Sequence, residues 1–464
     1  MKPNSHFQAF STRRTSVSTL IRSYALAHIL IYPFTLLLLS CSEPPSTPPP
    51  YVPTVFLSEE YAGVTHASLR LTFYDTTGAR EYALRRDGAL IMEGVMQTSD
   101  TVLVDTALFP ARTYTYRAYR LRDGAVRDSS ALLHVTTMDT TSHDFTWEIT
   151  YLGDGQSYLK DVFAISDTDV WAVGQIYLRD STGGLNKKYN AAHWNGREWK
   201  LHALPAITYY GDVTRGIEIT SVFAFSRDDV WMFSYVGAYI HWDGRDWKTR
   251  FVSERKGTVQ KIWGRSSSDL YFVGTNGSIT HYDGQKFERE ESGTSYDLTG
   301  IWGNEKEVYV VGKSGREGIV LLSNNDKTWQ RLYQIENEVT MPFSSVWIDN
   351  QGFISIAGHG IIYFDRFWQT PSDKVLKGDM GPLYFYIHDH NGSARNNIFA
   401  VGDWNYIIHY NGITWHHFKD MLTYPDGNEN VFSVHTLSSS SVWIVGASDG
   451  GIGDEIGMII HGSQ

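Results

Sequence analysis

The sequence predicts an all-β chain, a small sandwich followed by a closed seven-bladed propeller, and three observations predict it. The composition, 14% aromatic with 41 Gly and 15 Trp, suits many short strands joined by tight turns. Short runs of alternating apolar and polar residues with turn signals between them fill residues 51–139, as a sandwich requires. From 140 to 464 one motif recurs: an apolar run, then Asp-Val-Trp or a relative, then an aromatic-Asp/Asn-Gly turn and a closing Trp or Phe. Its spacing of roughly 40–48 residues is the length of a propeller blade.

Residues 1–40 read as a secretory leader. Arg13, Arg14 and Arg22 precede an apolar run from Tyr24 to Leu39, with Ser40 as the small residue before the cut. An uncleaved membrane anchor is the competing reading, weakened because the run is short for a span and contains Pro33. Leu38-Leu39-Ser40-Cys41 resembles the lipobox of bacterial lipoproteins, and the single Cys of the chain falls where that motif requires one. The resemblance implies lipidation at Cys41 and a membrane partner held through the lipid. Ser42, rather than Asp, after the Cys resembles the sorting pattern of outer-membrane lipoproteins, so a cell-envelope location is expected. Residues 41–50, with Pro44, Pro45 and Pro48-Pro49-Pro50, form a semi-rigid extended tether.

The formal net charge of −11 repels nucleic acid phosphates, so no nucleic acid partner is expected. One Cys excludes an intrachain disulfide framework and thiolate metal clusters.

Within 51–139, Ser68-Leu69-Arg70-Leu71-Thr72-Phe73 is a strand, and Glu81 to Arg86 is another that runs into an Asp87-Gly88 turn. The stretch Leu108-Phe109-Pro110-Ala111-Arg112-Thr113-Tyr114-Thr115-Tyr116 resembles the fibronectin type III pattern. That resemblance implies a spacer sandwich in which Tyr114 is the corner tyrosine, its phenol satisfying a backbone group at the sheet crossover. Phe73 stands where the family has a buried Trp, a departure from the pattern.

The clearest repeat copies are Asp169-Val170-Trp171-Ala172-Val173-Gly174 with His193-Trp194-Asn195-Gly196 and Trp199, and Asp229-Val230-Trp231 with His241-Trp242-Asp243-Gly244 and Trp247. A third has Asp269-Leu270-Tyr271 with His281-Tyr282-Asp283-Gly284 and Phe287. Weaker copies follow around Val308 to Gly312 with Trp329, and around Phe353 to Gly358 with Trp368. A sixth carries His409-Tyr410-Asn411-Gly412 and Trp415. The seventh, from Val431, lacks its closing Trp strand, which stands instead before the first copy at Phe145-Thr146-Trp147-Glu148-Ile149. A ring closed by that strand has no exposed sheet edge left over. The units resemble bacterial repeat propellers of the Asp-Val-Trp-Ala-Val-Gly and His-Trp-Asp-Gly type, and more distantly Asp-box propellers such as photosystem II assembly factors and sialidases. The shortened Asp/Asn-Gly-x-x-Trp spacing carries over the fold, not sialidase chemistry.

His193, His241, His281, His409 and His461 occupy the same place in different units, so they cannot converge on one metal ion. Asn195, Asp243, Asp283 and Asn411, each beside Gly, suit tight turns. Trp171, Trp199, Trp231, Trp247, Trp415 and Trp443 suit packing between blades, with an exposed sugar platform as the sharper alternative. His388-Asp389-His390 lies outside the repeat, but three adjacent strand residues share no face. No metal, cofactor or catalytic set is indicated.

Binding is expected where the repeat is interrupted. Three links are over-long: 177–190, 206–220 and 370–381. The first offers Lys187, Lys188 and Tyr189, the second Tyr209, Tyr210, Asp212 and Arg215, residue types frequent at binding hot spots. The expected function is a non-enzymatic binding or scaffolding lipoprotein whose partner is an envelope protein or a polysaccharide. The rival is a carbohydrate-active hydrolase or lyase, which would need two carboxylates about 5–9 Å apart in a groove.

Overall fold

The structure, a computed structural model, describes residues 54–74, 80–324, 327–335, 343–358, 360–364, 386–419, 421, 429–448 and 454–464. The leader, Cys41, the Pro-rich tether, Trp368 and the link 370–381 lie outside the described residues.

Residues 54–138 build two sheets. One carries Val55–Ala62, His66–Phe73 and Asp100–Thr106; the other carries Glu81–Arg86, Ala89–Val95, Thr113–Arg122, Ala125–Ser129 and Leu133–Thr136. The alternation in these strands turns Leu69, Leu71, Phe73, Leu84, Tyr116 and Val135 into one buried cluster. A polar tie joins the sheets inside it: the Tyr116 hydroxyl donates to Asp105 at 2.7 Å, and Arg86 meets the same carboxylate at 2.9 Å. The Tyr114 hydroxyl accepts a 2.8 Å hydrogen bond from the Phe109 backbone N–H, which closes the turn before that strand.

Apart from one two-stranded hairpin, the remaining strands form, among the described residues, seven antiparallel sheets whose innermost strands follow one another around a ring. In chain order the innermost strands are Tyr158–Ser166, Ile219–Ser226, Val259–Ser266, Asp297–Gly303, Ser345–Ile348, Ile387–Ala394 and Asn430–Ser438. This is a β-propeller, and each innermost strand defines one blade. Six blades show four strands; the fifth shows three among the described residues. The last blade is completed by Thr146–Leu152, with Trp147 opposite Gly462, so the ring closes by the strand that the sequence singles out.

Packing between blades repeats a single device. An aromatic of one blade's outermost strand meets the second-strand aromatic of the preceding blade. Trp199 lies 6.0 Å edge-on to Trp443, Trp247 5.5 Å from Trp171, and Trp329 6.0 Å from Tyr271. Trp147 repeats it against Phe399 at 6.4 Å. Edge-to-face pairs of this kind add specificity to large apolar burial.

The five repeat-equivalent histidines stay in their own blades. His193, His241 and His281 each hydrogen-bond the Asp that opens the blade's second strand, at 2.8, 2.8 and 2.7 Å. Each also stacks on the aromatic two residues beyond that Asp, with centroids 4.2, 3.9 and 4.4 Å apart. In the sixth blade Asn397 replaces the Asp, and His409 stacks on Phe399 at 4.3 Å. His461 stacks on Trp443 at 3.9 Å. The turns repeat as well: Asn195, Asp243, Asp283 and Asn411 each accept from the N–H groups two and three residues on. The following Gly196, Gly244, Gly284 and Gly412 take φ of 85°, 85°, 88° and 95°, which a side chain disfavours.

Candidate functional site

Against this regularity, one set of equivalent positions varies from blade to blade. The innermost strand carries a bulge near its start in six blades, immediately before Asp161, Ser221, Lys261, Gly300, Asp389 and Ser433; Ser345 stands at the matching place in the fifth. Bulges re-aim side chains. Here they bring these polar groups together in the central channel.

Lys261 Nζ reaches Asp161 at 2.8 Å and Asp389 at 3.3 Å. The Ser433 hydroxyl lies 2.7 Å from Asp161 and 2.9 Å from Asp389. Ser221 donates to Asp161 at 2.7 Å, and Ser345 to Asp389 at 2.8 Å. Backbone N–H groups of Val222 and Val434 complete the two carboxylates from neighbouring blades. Burial pushes the Asp389 carboxyl up, but Lys261, Ser345, His390 and Ser433 outweigh it and hold it below the ordinary aspartate range. Burial likewise depresses Lys261, and the two aspartates outweigh it and hold its ammonium above the ordinary lysine range. Six blades are thus bonded to one another through a single ionised knot.

The knot forms the floor of a recess of about 220 Å³. Its rim is a crescent of basic and aromatic groups. Lys160 Nζ sits 5.2 Å from the Tyr158 ring and 5.0 Å from the Phe432 ring. Phe432 meets His388 edge-on at 5.7 Å, and His388 meets Tyr386 at 5.3 Å. Lys313 Nζ donates to the Tyr386 hydroxyl at 3.0 Å. A second hollow, lined by Gln156, Tyr158, Lys160, Gln175, Phe432 and Glu455 among others, shares Lys160 and Phe432 with the recess and runs outward between the first and seventh blades.

The three residues His388-Asp389-His390 divide because the bulge before Asp389 breaks the strand's regular alternation. His388 bonds Asp403 at 2.6 Å on the rim, and Asp389 joins the knot. His390 is buried between Ser355 at 2.7 Å and Ser345 at 3.0 Å. Burial lowers His390 to about 4, with Asp389 and Ser355 opposing it, so it is neutral. His435 is lowered to about 4 by burial and by Lys261, and its Nδ1 accepts from the Ala164 N–H at 3.1 Å.

Of the interrupted links, 177–190 is shorter than its sequence suggests. The flanking strands extend to Leu178 and from Lys187, because alternation continues beyond the repeat motif; the connection proper is 179–186. Lys187 and Lys188 are exposed on that strand, with Lys188 Nζ 5.6 Å from the Tyr177 ring, while half-buried Tyr189 packs against the cluster shared by the first and seventh blades. The link 206–220 folds into a hairpin of Pro205–Ile207 and Val213–Arg215. Asn190 anchors it, accepting from Leu204 N–H and donating to the Leu204 and Ile217 carbonyls. Tyr209 and Tyr210 at its tip are 75% and 86% exposed, an unusual cost in apolar surface for a tip that packs on one residue, Phe251. Arg215 donates to the Ala203 carbonyl, and Asp212 is exposed.

Of the channel knot, only Asp389 was singled out from sequence, within His388-Asp389-His390. A signal exists: in six blades the polar or small residue sits just before an apolar–aromatic or apolar–His pair, as in Asp161-Val162-Phe163, Lys261-Ile262-Trp263 and Ser433-Val434-His435. Its variation among the units marks it as non-repetitive.

No protein-family model matches the chain, and no curated protein matches it. Solved structures do resemble it. YCF48 bound to D1 peptide aligns at 14% identity with a TM-score of 0.50, covering 70% of this chain and 100% of that one. The WD40 β-propeller domain of Doa1 aligns at 13% identity and a TM-score of 0.48, covering 69% and 98%. The Dos1 propeller aligns at 10% identity and a TM-score of 0.44, covering 68% and 94%. At such identities the likeness is one of fold, and the fold is the β-propeller.

Proposed function

We propose that this chain is a non-enzymatic binding module that captures a segment of another envelope protein at the mouth of its propeller channel. Lipidation at Cys41 anchors it to the membrane. Residues 41–50 act as tether, 51–139 as a fibronectin type III-like spacer and 140–464 as the propeller. The bond from Phe109 N–H to the Tyr114 hydroxyl supports the spacer assignment, since it is the contact a corner tyrosine makes.

The observation that carries the binding reading is the ionised knot beneath an aromatic and basic rim. Asp161 and Asp389 are a pair of carboxylates lining the recess, and a glycosidase needs one such group protonated. Asp389 is held ionised, and both carboxylates spend their acceptor positions on Lys261, serines and backbone N–H groups. A recess floored this way offers recognition rather than proton transfer. That a propeller of similar fold is solved with a peptide bound agrees with a peptide-sized ligand.

The test is in-cell photo-crosslinking with p-benzoylphenylalanine in place of Phe432. Covalent adducts to a discrete envelope protein are expected. Absence of protein adducts, together with glycan turnover by the purified chain that is lost on Asp389→Asn, would overturn the reading in favour of a hydrolase or lyase. Palmitate incorporation that is unchanged in Cys41→Ala would remove the anchor.

A further inference from the structure

We infer that the mouth contains a carboxylate subsite, and that the captured segment is an extended peptide with an acidic side chain seated on Lys160 and its backbone lying in the hollow between the first and seventh blades. This rests on the peptide-binding reading above and adds the direction and the chemistry of the ligand.

The charge pattern points there first. The chain is acidic overall, at −11, yet its channel mouth carries Lys160, Lys261 and Lys313. Lys261 is committed to two aspartates. Lys160 is exposed and, among the described residues, makes no ion pair; its ammonium is held between the Tyr158 and Phe432 rings. Lys313 contacts the Tyr386 hydroxyl and ring and likewise has no carboxylate partner among the described residues. Cations flanking a walled recess focus the field on it and attract an anion. An ammonium already positioned by aromatic faces pays little further ordering when a carboxylate arrives.

The hollow supplies the rest of the peptide's needs. Gln156 and Gln175 line it from the first blade, the Gln175 amide donating to the Gln156 carbonyl at 3.1 Å, and Asn430 lines it from the seventh. Carboxamides both donate and accept, which matches the alternating N–H and C=O of an extended backbone. The hollow also has polarity: Lys160 stands where it opens into the recess, and Glu455 lines it without lining the recess. An acidic side chain therefore points inward and a neutral or basic one outward. A uronate-bearing polysaccharide shares the carboxylate but not the alternating amides, so the peptide is favoured.

The test uses the full chain in detergent micelles and a displayed library of random dodecapeptides. Enriched peptides are expected to carry Asp or Glu at one fixed position. Their synthetic forms should bind about tenfold or more weakly to Lys160→Glu, and exchange of that acid for Lys should restore binding to the variant. Lys160→Gln, with an unchanged melting temperature, separates loss of the subsite from loss of fold. Enriched peptides without a fixed acid, or indifference to Lys160→Glu, would overturn the subsite while leaving peptide binding standing. No enriched peptide, with polygalacturonate retained in a Lys160-dependent manner, would overturn both.

Discussion

The outer girdle and the channel mouth are built on the same seven-fold frame and obey opposite rules. In the girdle, His193, His241 and His281 repeat one contact, a ring nitrogen on an Asp and a stack on the following aromatic, nearly to the same distance. At the mouth, equivalent strand positions hold Asp161, Ser221, Lys261, Gly300, Ser345, Asp389 and Ser433, each different in role from its neighbours. Repetition fits a task that every blade shares, the packing of one blade on the next. Its loss fits a task that the ring performs once.

That contrast sets the order in which the molecule should respond to substitution. Trp443→Ala should be the most damaging, because it empties a buried site between the first and seventh blades, where it meets both Trp199 and His461. A loss of about 3–5 kcal/mol is expected in chemical denaturation. Lys261→Met should follow at about 3 kcal/mol, since it leaves Asp161 and Asp389 buried without their cation. If Lys261→Met is neutral, the knot is not what ties the blades together.

Acid should act on both regions at once. His390 and His435 at the channel are lowered to about 4, and His409 in the girdle to about 3, in each case chiefly by burial. Their folded pKa lies below the unfolded value of about 6.5, so the unfolded chain binds the protons first. The stability they confer is complete above about pH 6.5 and drains away as pH falls toward 4. A drop of about 2 kcal/mol from each of the three is expected between pH 7 and pH 4.5 in urea unfolding, and His390→Gln should remove about a third of it. Asn195→Ala should cost about 1 kcal/mol, through the turn bonds to the Arg197 and Glu198 N–H groups.

How much of this was legible in the sequence follows from the same contrast. Repeated residues announce themselves: the Trp, His and Asp-Gly positions indicated the ring, its strands and its closure through Trp147, because identical packing demands identical residues. The channel residues differ from blade to blade and so carry no motif. Only their place before the Val-Phe or Ile-Trp pair relates them, and the bulge that turns them inward leaves no compositional mark. Tyr189 was placed in a link because the link around it seemed long, whereas the strand simply continues through it and leaves it half-buried. Tyr209 and Tyr210 were visible as candidates, but the anchoring of their hairpin by Asn190 depends on a contact across the blade.

The smallest effect on stability should accompany the largest effect on binding. Lys160 is exposed and, among the described residues, is held only by two ring faces, so Lys160→Gln should change stability by no more than about 0.5 kcal/mol. The most direct test of the division between girdle and mouth is to measure protein adducts at position 432 and melting temperature together in that variant. Loss of the adducts at an unchanged melting temperature is the predicted result. Adducts that persist undiminished in Lys160→Gln would contradict the seating of the ligand on Lys160.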